Sequence, residues 1–347
     1  MRSRSRAQVL GIAGLLLLSG CAPAPQPIES PSAAAPESAS PTPTPSPRPA
    51  VEPTAAFDVT CGDVAVAIEA VVGAPATPMQ PVMSTVSTMN WIPGPAQYMF
   101  QRAGGIACSA GDESGYWEVT IVPGAQAVID GAEERGQPTV PGGGCENDYC
   151  RFEITDGDVH LSAFVYDPDA VADEASQLEA AFTPLVSAAA SRVREVEHGD
   201  SGIVGARCER FMRTEELTRL LGTEVREFTD FGGWGIPAEV YHVVNGASHC
   251  LYTSPGSGYE VQSHLEITML PAGAWAFERQ EGTPVIVDGA DAATTSTGSY
   301  GRTFLDLRIG PDWIRLTTFD DGSGAPDPLP IAELVVRNFT VGHLAPQ

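Results

Sequence analysis

The strongest candidate nucleophile in the sequence is Ser201, in the segment Gly199-Asp200-Ser201-Gly202. A catalytic serine needs a histidine base and an acid that orients the base. The only histidines earlier in the chain are His160, within an alternating strand pattern, and His198, close to the serine itself. The segment also falls between two similar halves of the chain, described below. We therefore interpret it as a linker and expect no catalytic residue there.

The histidines His242, His249 and His264 are the only cluster of candidate metal ligands. A zinc site needs further ligands, and the sequence indicates none. The segments Asp288-Gly289-Ala290-Asp291 and Asp320-Asp321-Gly322-Ser323-Gly324 are acidic enough for calcium, but neither reaches the full ligand spacing of a calcium loop. We expect turns there and no metal or cofactor, while weak calcium binding stays open.

The charge balance excludes several classes of partner. The 347 residues include 19 basic residues, all arginine, and 44 acidic residues, which gives a formal net charge of −25. Nucleic acids and anionic lipid surfaces are bound through basic patches. The absence of lysine also excludes Schiff-base chemistry and a phosphate-binding P-loop. We expect no nucleic-acid partner.

The N-terminus contains a basic segment, a short apolar run over Val9–Leu18, and then Ser19-Gly20-Cys21. The run is too short to span a bilayer, which takes about 20 residues. The segment resembles bacterial lipoprotein signals, in which the cysteine thiol is diacylglycerated and the chain is cleaved just before it. This resemblance implies a signal peptide over residues 1–20 and lipidation of Cys21 with acyl chains such as palmitate. The mature chain would then be extracytoplasmic, on the outer face of the cell membrane, anchored by lipid alone.

Residues 21–56 form a proline-rich tether after the lipidation site. Between Ala22 and Pro53 lie 11 prolines, interspersed with serine, threonine and alanine. Such a segment has no apolar face to bury, so it cannot offset the entropy of ordering and is predicted to be disordered. At about 3 Å per residue, its reach is up to roughly 100 Å.

The rest of the chain contains two similar halves, which we assign to residues 57–195 and 203–345. The same landmarks follow one another in both halves: a cysteine, a helix-ending glycine, a tryptophan, a second cysteine, a strand ending in proline and an Asp-Gly-Ala segment. In the two halves these are Cys61 and Cys208, Gly73 and Gly222, Trp91 and Trp234, Cys108 and Cys250, Val119–Pro123 and Ile267–Pro271, and Ile129–Ala132 and Val287–Ala290. The same order of landmarks at similar spacing in both halves predicts a duplicated unit.

Each half has the pattern of helix, antiparallel strands and helix. Apolar spacing predicts early helices that end at Gly73 and Gly222. The dipeptide Asn245-Gly246 predicts a hairpin between strands Val240–Val244 and His249–Thr253. Further predicted elements are a hairpin of Phe152–Ile154 with Val159–Tyr166, a hairpin of Thr303–Ile309 with Trp313–Phe319, and closing helices over Val171–Val193, kinked or ended by Pro184, and Ile331–Phe339. The predicted fold is α+β: two tandem similar domains, each an antiparallel sheet packed with a helix near each end.

Six cysteines remain after Cys21, an even number that suits an oxidising compartment. Six cysteines allow 15 pairings. The duplication selects Cys61–Cys108 and Cys208–Cys250 as equivalent disulfides and leaves Cys145–Cys150 as the third.

Taken together, these features resemble actinobacterial surface lipoproteins of unknown function that carry one or two cysteine-bridged α+β domains. The resemblance is carried by Leu220-Leu221-Gly222, Cys250 and Val287–Asp291. The first half departs from the pattern with Val71-Val72-Gly73 and the extra Cys145–Cys150 pair. The resemblance implies no known reaction and no catalytic residues.

Trp91 and Trp234 are the candidate binding residues, because each stands beside proline and glycine in a loop at an equivalent position. Tryptophan is common at binding hot spots, but core tryptophans are the alternative. The sequence thus predicts a non-catalytic, membrane-anchored surface lipoprotein that acts as a binding or accessory module in the cell envelope, for an envelope protein or a small ligand. Two alternatives stay open: a carrier of a small molecule or lipid in a pocket between sheet and helices, and an envelope hydrolase.

If the tryptophans bind a partner, Trp91→Ala or Trp234→Ala should weaken partner capture by about 2 kcal/mol and leave the fold intact. If the tryptophans lie in the core, their replacement by alanine should instead lower the free energy of unfolding by about 3–5 kcal/mol. Thermal melts of the two single variants distinguish these outcomes, and a large drop in both melts would contradict the binding role.

Overall fold

Two antiparallel sheets, one in each predicted half, form the framework of the computed structural model. The structure describes residues 51–83, 94–136, 142–167, 172–229, 235–256, 261–320, 322 and 324–342. All of them belong to one compact unit, Ser46–Gln347. The fold is α+β, with two similar sheet-and-helix domains in tandem, as predicted.

The first half contains four described helices and five described strands. The helices are α1 (Cys61–Val72), α2 (Met99–Arg102), α3 (Ala125–Glu134) and α4 (Ala172–Ala190), and the strands are β1 (Ile106–Asp112), β2 (Gly115–Pro123), β3 (Gly142–Glu146), β4 (Tyr149–Asp156) and β5 (Val159–Tyr166). A 3-10 turn over Pro95–Tyr98 leads into α2.

The second half repeats this order and adds two strands. The helices are α5 (Thr214–Leu221), α6 (Gly235–Glu239), α7 (Ala274–Phe277) and α8 (Pro328–Gly342), and the strands are β6 (Arg226–Phe228), β7 (Cys250–Thr253), β8 (Ser263–Leu270), β9 (Thr283–Val285), β10 (Ala292–Thr297), β11 (Thr303–Ile309) and β12 (Asp312–Thr318). A 3-10 turn over Cys208–Arg210 precedes α5.

The two sheets have the same topology. The first sheet has the order β1-β2-β5-β4-β3, and the second has the order β6-β7-β8-β12-β11-β10-β9. The five central strands of the second sheet therefore correspond one by one to the first sheet. Thr120 pairs with Ser162 across β2 and β5, and the matching Thr268 pairs with Arg315 across β8 and β12. This shared topology supports the predicted duplication.

One face of each sheet, which we call the inner face, packs on the long helices. In the first half, Val119 and Leu161 belong to a buried cluster with Ile68 of α1 and Phe182 of α4. In the second half, the inner residues of β8, β11 and β12 pack with α5 and α8 in the same way. Alternate strand residues point to the opposite, outer face.

The three predicted disulfides are confirmed. Cys61–Cys108 joins the start of α1 to β1 with a Cα–Cα distance of 5.4 Å, and Cys208–Cys250 makes the equivalent link in the second half at 5.6 Å. Cys145–Cys150 joins the neighbouring strands β3 and β4.

The predicted strand over Val240–Val244 is wrong. These residues form a π-helical turn that continues α6. The reason is Asn245, which is buried and whose side-chain amide donates to the carbonyl oxygens of Val240 and Met99. Gly246, with φ of 58°, then takes the left-handed conformation that commonly ends a helix. A tertiary contact therefore overrides the strand preference of the three valines.

Two further predictions need correction. Helix α4 runs through Pro184 to Ala190, so the proline does not end it. Buried residues on both sides of the proline, Phe182 and Val186, keep the helix packed on the sheet. The Asp-Gly-Ala segments are not structurally equivalent, because the first lies within α3 and Val287–Ala290 forms a turn between β9 and β10.

Helix α2 of the first half is buried, and it packs against residues of the second half. Its Met99 and Phe100 belong to the same buried cluster as Ile236 and Tyr241. Arg102, which is only 4% exposed, donates from Nε to the carbonyl oxygen of Pro271 at 2.8 Å and from a terminal nitrogen to Asn245 Oδ1 at 3.0 Å. Burial lowers the pKa of Arg102 to about 10. One buried cluster therefore spans both halves, while the first half also has a cluster of its own.

Because one buried cluster spans both halves, we expect them to unfold in one cooperative transition. Phe100→Ala should lower the free energy of unfolding by about 3–5 kcal/mol, the usual cost of removing a buried phenylalanine. Val66→Ala, at an exposed position of α1, is the matched control and should leave it unchanged. Chemical denaturation followed by fluorescence and by circular dichroism checks this. Two separate transitions, of which only one moves in the Phe100 variant, would contradict a shared core.

Candidate functional site

The hydroxyl group of Ser201 makes hydrogen bonds that hold the linker in place. Its hydroxyl hydrogen-bonds to the carboxyl group of Asp312 and accepts from the backbone N–H of Ile203. Asp312 also accepts backbone N–H groups of Gly202 and Ala272 at 2.9 and 2.8 Å. Burial raises the pKa of Asp312. The linker between the halves is thus fastened to β12, and within the described part of the chain Ser201 makes no hydrogen bond to a histidine.

The three histidines of the candidate metal cluster lie in different environments. His242 is on the π-helical turn, where its Nδ1 hydrogen-bonds to the carbonyl oxygen of Ala247. His249 Nε2 lies 2.5 Å from Oε1 of Glu266, and both side chains are buried. His264 lies on the outer face of β8. In the part of the chain that the structure describes, no three histidine, cysteine or acidic residues group closely enough to hold a metal ion.

In the two acidic segments, aspartate carboxylates accept backbone hydrogen bonds of the kind that is typical of turns. The carboxylate of Asp291 accepts the backbone N–H of Gly310. The carboxylate of Asp320 accepts the backbone N–H groups of Gly322 and Gly324. Asp321 and Ser323 lie outside the described residues.

A pair of buried glutamates is the site feature that the sequence analysis missed. Glu118 on β2 and Glu266 on β8 occupy equivalent positions on the outer faces of the two sheets, and both are almost fully buried. Each stands one residue before the matched strands that end in Pro123 and Pro271. Extending the repeat by that residue gives Glu-Val-Thr and Glu-Ile-Thr, a signal that could have found them.

The outer face of the second sheet also carries a buried ion pair. The guanidinium group of Arg315 donates to both oxygens of Asp306 at 2.7 and 2.8 Å, and the indole N–H of Trp313 donates to the same carboxylate. Gly94 of the first half lies directly on this guanidinium group, because a Cβ there would come within 2.6 Å of it. This face is therefore used for packing between the halves.

The first half has a cleft at the end of its sheet, with a volume of about 220 Å³. It lies between the segment that follows α1, the turn between β1 and β2, and the end of β5. Its lining includes three aromatic side chains and one carboxylate: Tyr116, Trp117, Tyr166 and Asp167.

Aromatic rings on the outer face of the first sheet extend from this cleft. Tyr116 stacks on Phe164 with ring centroids 5.6 Å apart, and Phe164 stacks on Tyr149 at 5.7 Å. Tyr166 lies 5.8 Å from Tyr116. The guanidinium group of Arg151 sits over Tyr149 and Phe164, 5.2 Å from each ring centre. The three tyrosines are partly exposed, so this aromatic cluster faces solvent at the cleft.

The predicted lipidation site Cys21 and the candidate binding residues Trp91 and Trp234 lie outside the described residues. Among the helices that are described, none is long and apolar enough to cross a membrane. Compared with known proteins, the chain matches no protein-family model, no curated protein and no solved structure.

The buried His160 makes the stability of the fold sensitive to acid. Burial lowers its pKa from 6.5 to about 4. Below pH 6.5 the unfolded chain takes up a proton that the folded chain does not, so stability is lost as the pH falls from 6.5 to 4. The loss reaches about 3 kcal/mol, since one pKa unit is worth about 1.4 kcal/mol.

We expect His160→Leu to remove that part of the acid-induced loss. Its partner, the hydroxyl of Thr155, is exposed and can bond to water instead. Denaturation curves of both proteins at pH 7 and pH 4.5 check this. His242, whose pKa burial also lowers to about 4, should keep a residual pH dependence in the variant. An identical pH dependence in both proteins would contradict the assignment.

Proposed function

We propose that this chain is a non-catalytic, lipid-anchored surface protein that acts as a binding or accessory module in the cell envelope. In this proposal Cys21 carries the lipid, the proline-rich tether holds the folded part away from the outer face of the membrane, and the two halves form one rigid binding body. The ligand or partner is a small molecule or an envelope protein.

The observation that carries the proposal is that buried polar side chains hold elements of the fold together. Ser201 and Asp312 fasten the linker, His249 binds Glu266, and Arg315 binds Asp306. Among the described residues, Ser201, His249 and Glu266 could in principle serve as nucleophile, base or acid, and each has a partner that holds one element to another. Catalytic groups, in contrast, must face a site where a reacting atom can sit.

The disulfides support the extracytoplasmic location. Three cystines occur within the folded part, and disulfides persist in oxidising compartments outside the cytoplasm. This agrees with the lipoprotein-like N-terminus, which the sequence carries independently.

A second candidate function is a carrier of a small molecule. The cleft at the end of the first sheet favours it, because the opening lies where the layer between α1 and the sheet ends. Small-molecule sites are usually concave, lined by aromatic side chains and a few polar groups. The two candidates differ in whether the ligand is held at the surface or transported.

Replacing Cys21 tests the proposal. In cells of the source organism, Cys21→Ala should leave an uncleaved precursor or release the chain into the medium, because one lipidated residue provides the whole anchor. Cell fractionation, immunoblotting and protease treatment of intact cells measure this. Ser19→Ala, which keeps the cysteine and a small residue before it, is the matched control and should stay surface-exposed and anchored. Normal processing and equal membrane retention of Cys21→Ala would contradict the proposal.

A further inference from the structure

The three disulfides differ in burial and in the length of chain that they close. The two equivalent disulfides have sequence separations of 47 and 42 residues, and their four cysteines are buried. Cys145–Cys150 has a sequence separation of 5 residues, and Cys145 is only partly buried, whereas Cys150 is 1% exposed. A disulfide that closes a short loop removes little entropy from the unfolded chain. The third disulfide therefore contributes the least to stability.

The second half shows that the fold can form without the third disulfide. Cys145 and Cys150 lie directly opposite each other on β3 and β4. In the equivalent hairpin of β10 and β11, the strand register places Thr297 and Thr303 at these positions, and the two threonines pair in the same way. Backbone pairing holds that hairpin without a covalent link.

Strand β3 depends on the disulfide for its side-chain contact with the core. Three of its five residues are glycines, and Glu146 is exposed. Cys145 is thus the one residue of β3 whose side chain packs against the buried cluster of the first half. Gly143 lies directly on Phe152, because a Cβ there would come within 2.3 Å of the ring. When the disulfide is open, β3 is held by its backbone pairing and its position beside α4, so it can separate and uncover Phe152.

The two sulfur atoms differ in their access to solvent. Strand β3 is the last strand in the described order of its sheet. Both neighbours of Cys145, Gly144 and Glu146, are exposed, and a Cβ at Gly144 would meet no atom within 4 Å. Cys150 lies within the buried cluster. Thiol–disulfide exchange requires access to the sulfur that is attacked, so a thiol from outside reaches Cys145 first.

We propose that Cys145–Cys150 is a site of thiol–disulfide exchange, at which an external dithiol opens the disulfide and releases β3. The site is separate from the binding role proposed above. The two equivalent disulfides, which join the start of each half to its sheet, stay closed.

The exchange takes place in two steps. A thiolate of the dithiol attacks Sγ of Cys145, a new S–S bond forms, and Cys150 leaves as a thiolate that takes up a proton. The second thiol of the dithiol then loses its proton and attacks the dithiol sulfur of this mixed disulfide, so that Cys145 leaves as a thiolate and is protonated. Two electrons pass to the protein, and the dithiol is oxidised to a cyclic disulfide.

Reduction of the complete folded chain with dithiothreitol at neutral pH tests the proposal. Free thiols in samples taken over time are alkylated with N-ethylmaleimide and located by peptide mass spectrometry. We expect Cys145 and Cys150 to be reduced together, at least about tenfold faster than the two buried disulfides, which must wait for an opening of the fold. After this reduction, amide hydrogen exchange should become faster in β3 and β4 and stay unchanged in β1 and β2.

Two single variants test the difference between the sulfur atoms. Cys150→Ser leaves the partly exposed Cys145 as a free thiol, and Cys145→Ser leaves the buried Cys150. Iodoacetamide should alkylate the first thiol about tenfold faster than the second, because reactivity follows exposure.

A double variant, Cys145→Thr with Cys150→Thr, copies the threonine pair of the second half and is the matched control. It should fold with both other disulfides formed. Without any reductant it should show the fast hydrogen exchange in β3 that reduction causes in the wild type.

The proposal is overturned if all three disulfides are reduced at one rate, if reduction leaves hydrogen exchange in β3 unchanged, or if the two single variants are alkylated equally fast. Failure of the double variant to fold would show that the disulfide is required for the structure and would overturn the proposal as well. These outcomes are independent of the Cys21 experiment and of any bound ligand.

Discussion

The insertion of α2 into the second half, fixed by the buried guanidinium group of Arg102, is the contact on which the rest of the structure depends. Arg102 binds one backbone carbonyl and one amide side chain, Asn245, both from the second half. Asn245 in turn ties α2 to the π-helical turn that ends at Val244. Because a buried charge without its partners is costly, these groups must stay together. Two tandem units therefore form one body.

The outer faces of the two sheets carry different contacts. Both keep a disulfide that joins the start of the half to its sheet and a buried glutamate, Glu118 on β2 and Glu266 on β8. In the second half the outer face carries the Arg315–Asp306 pair, on which Gly94 of the first half lies. In the first half part of the outer face carries stacked tyrosines that reach solvent. The outer face of the second sheet thus packs against the first half, whereas part of the outer face of the first sheet is open to solvent.

The features that could be predicted from the sequence are those that depend on local pattern or on the repeat itself. Turn residues and alternation locate both hairpins of β4–β5 and β11–β12, and the repeat selects the pairing of Cys61, Cys108, Cys208 and Cys250. What depends on distant residues could not be predicted. Val240–Val244 has the composition of a strand, but the burial of Asn245 makes it helical. The aromatic cluster combines residues from β2, β4 and β5, and only the strand register brings them together.

The central claim is that this folded body acts by holding a ligand. Native mass spectrometry of the chain, released from intact cells by cleavage within its own tether, tests the claim most directly. The account predicts a folded species that carries the additional mass of a bound small molecule or envelope protein, and that loses this mass when the protein is unfolded. A folded chain that has its bare mass under all gentle release conditions, and stays bare when envelope extract is added back, would contradict it.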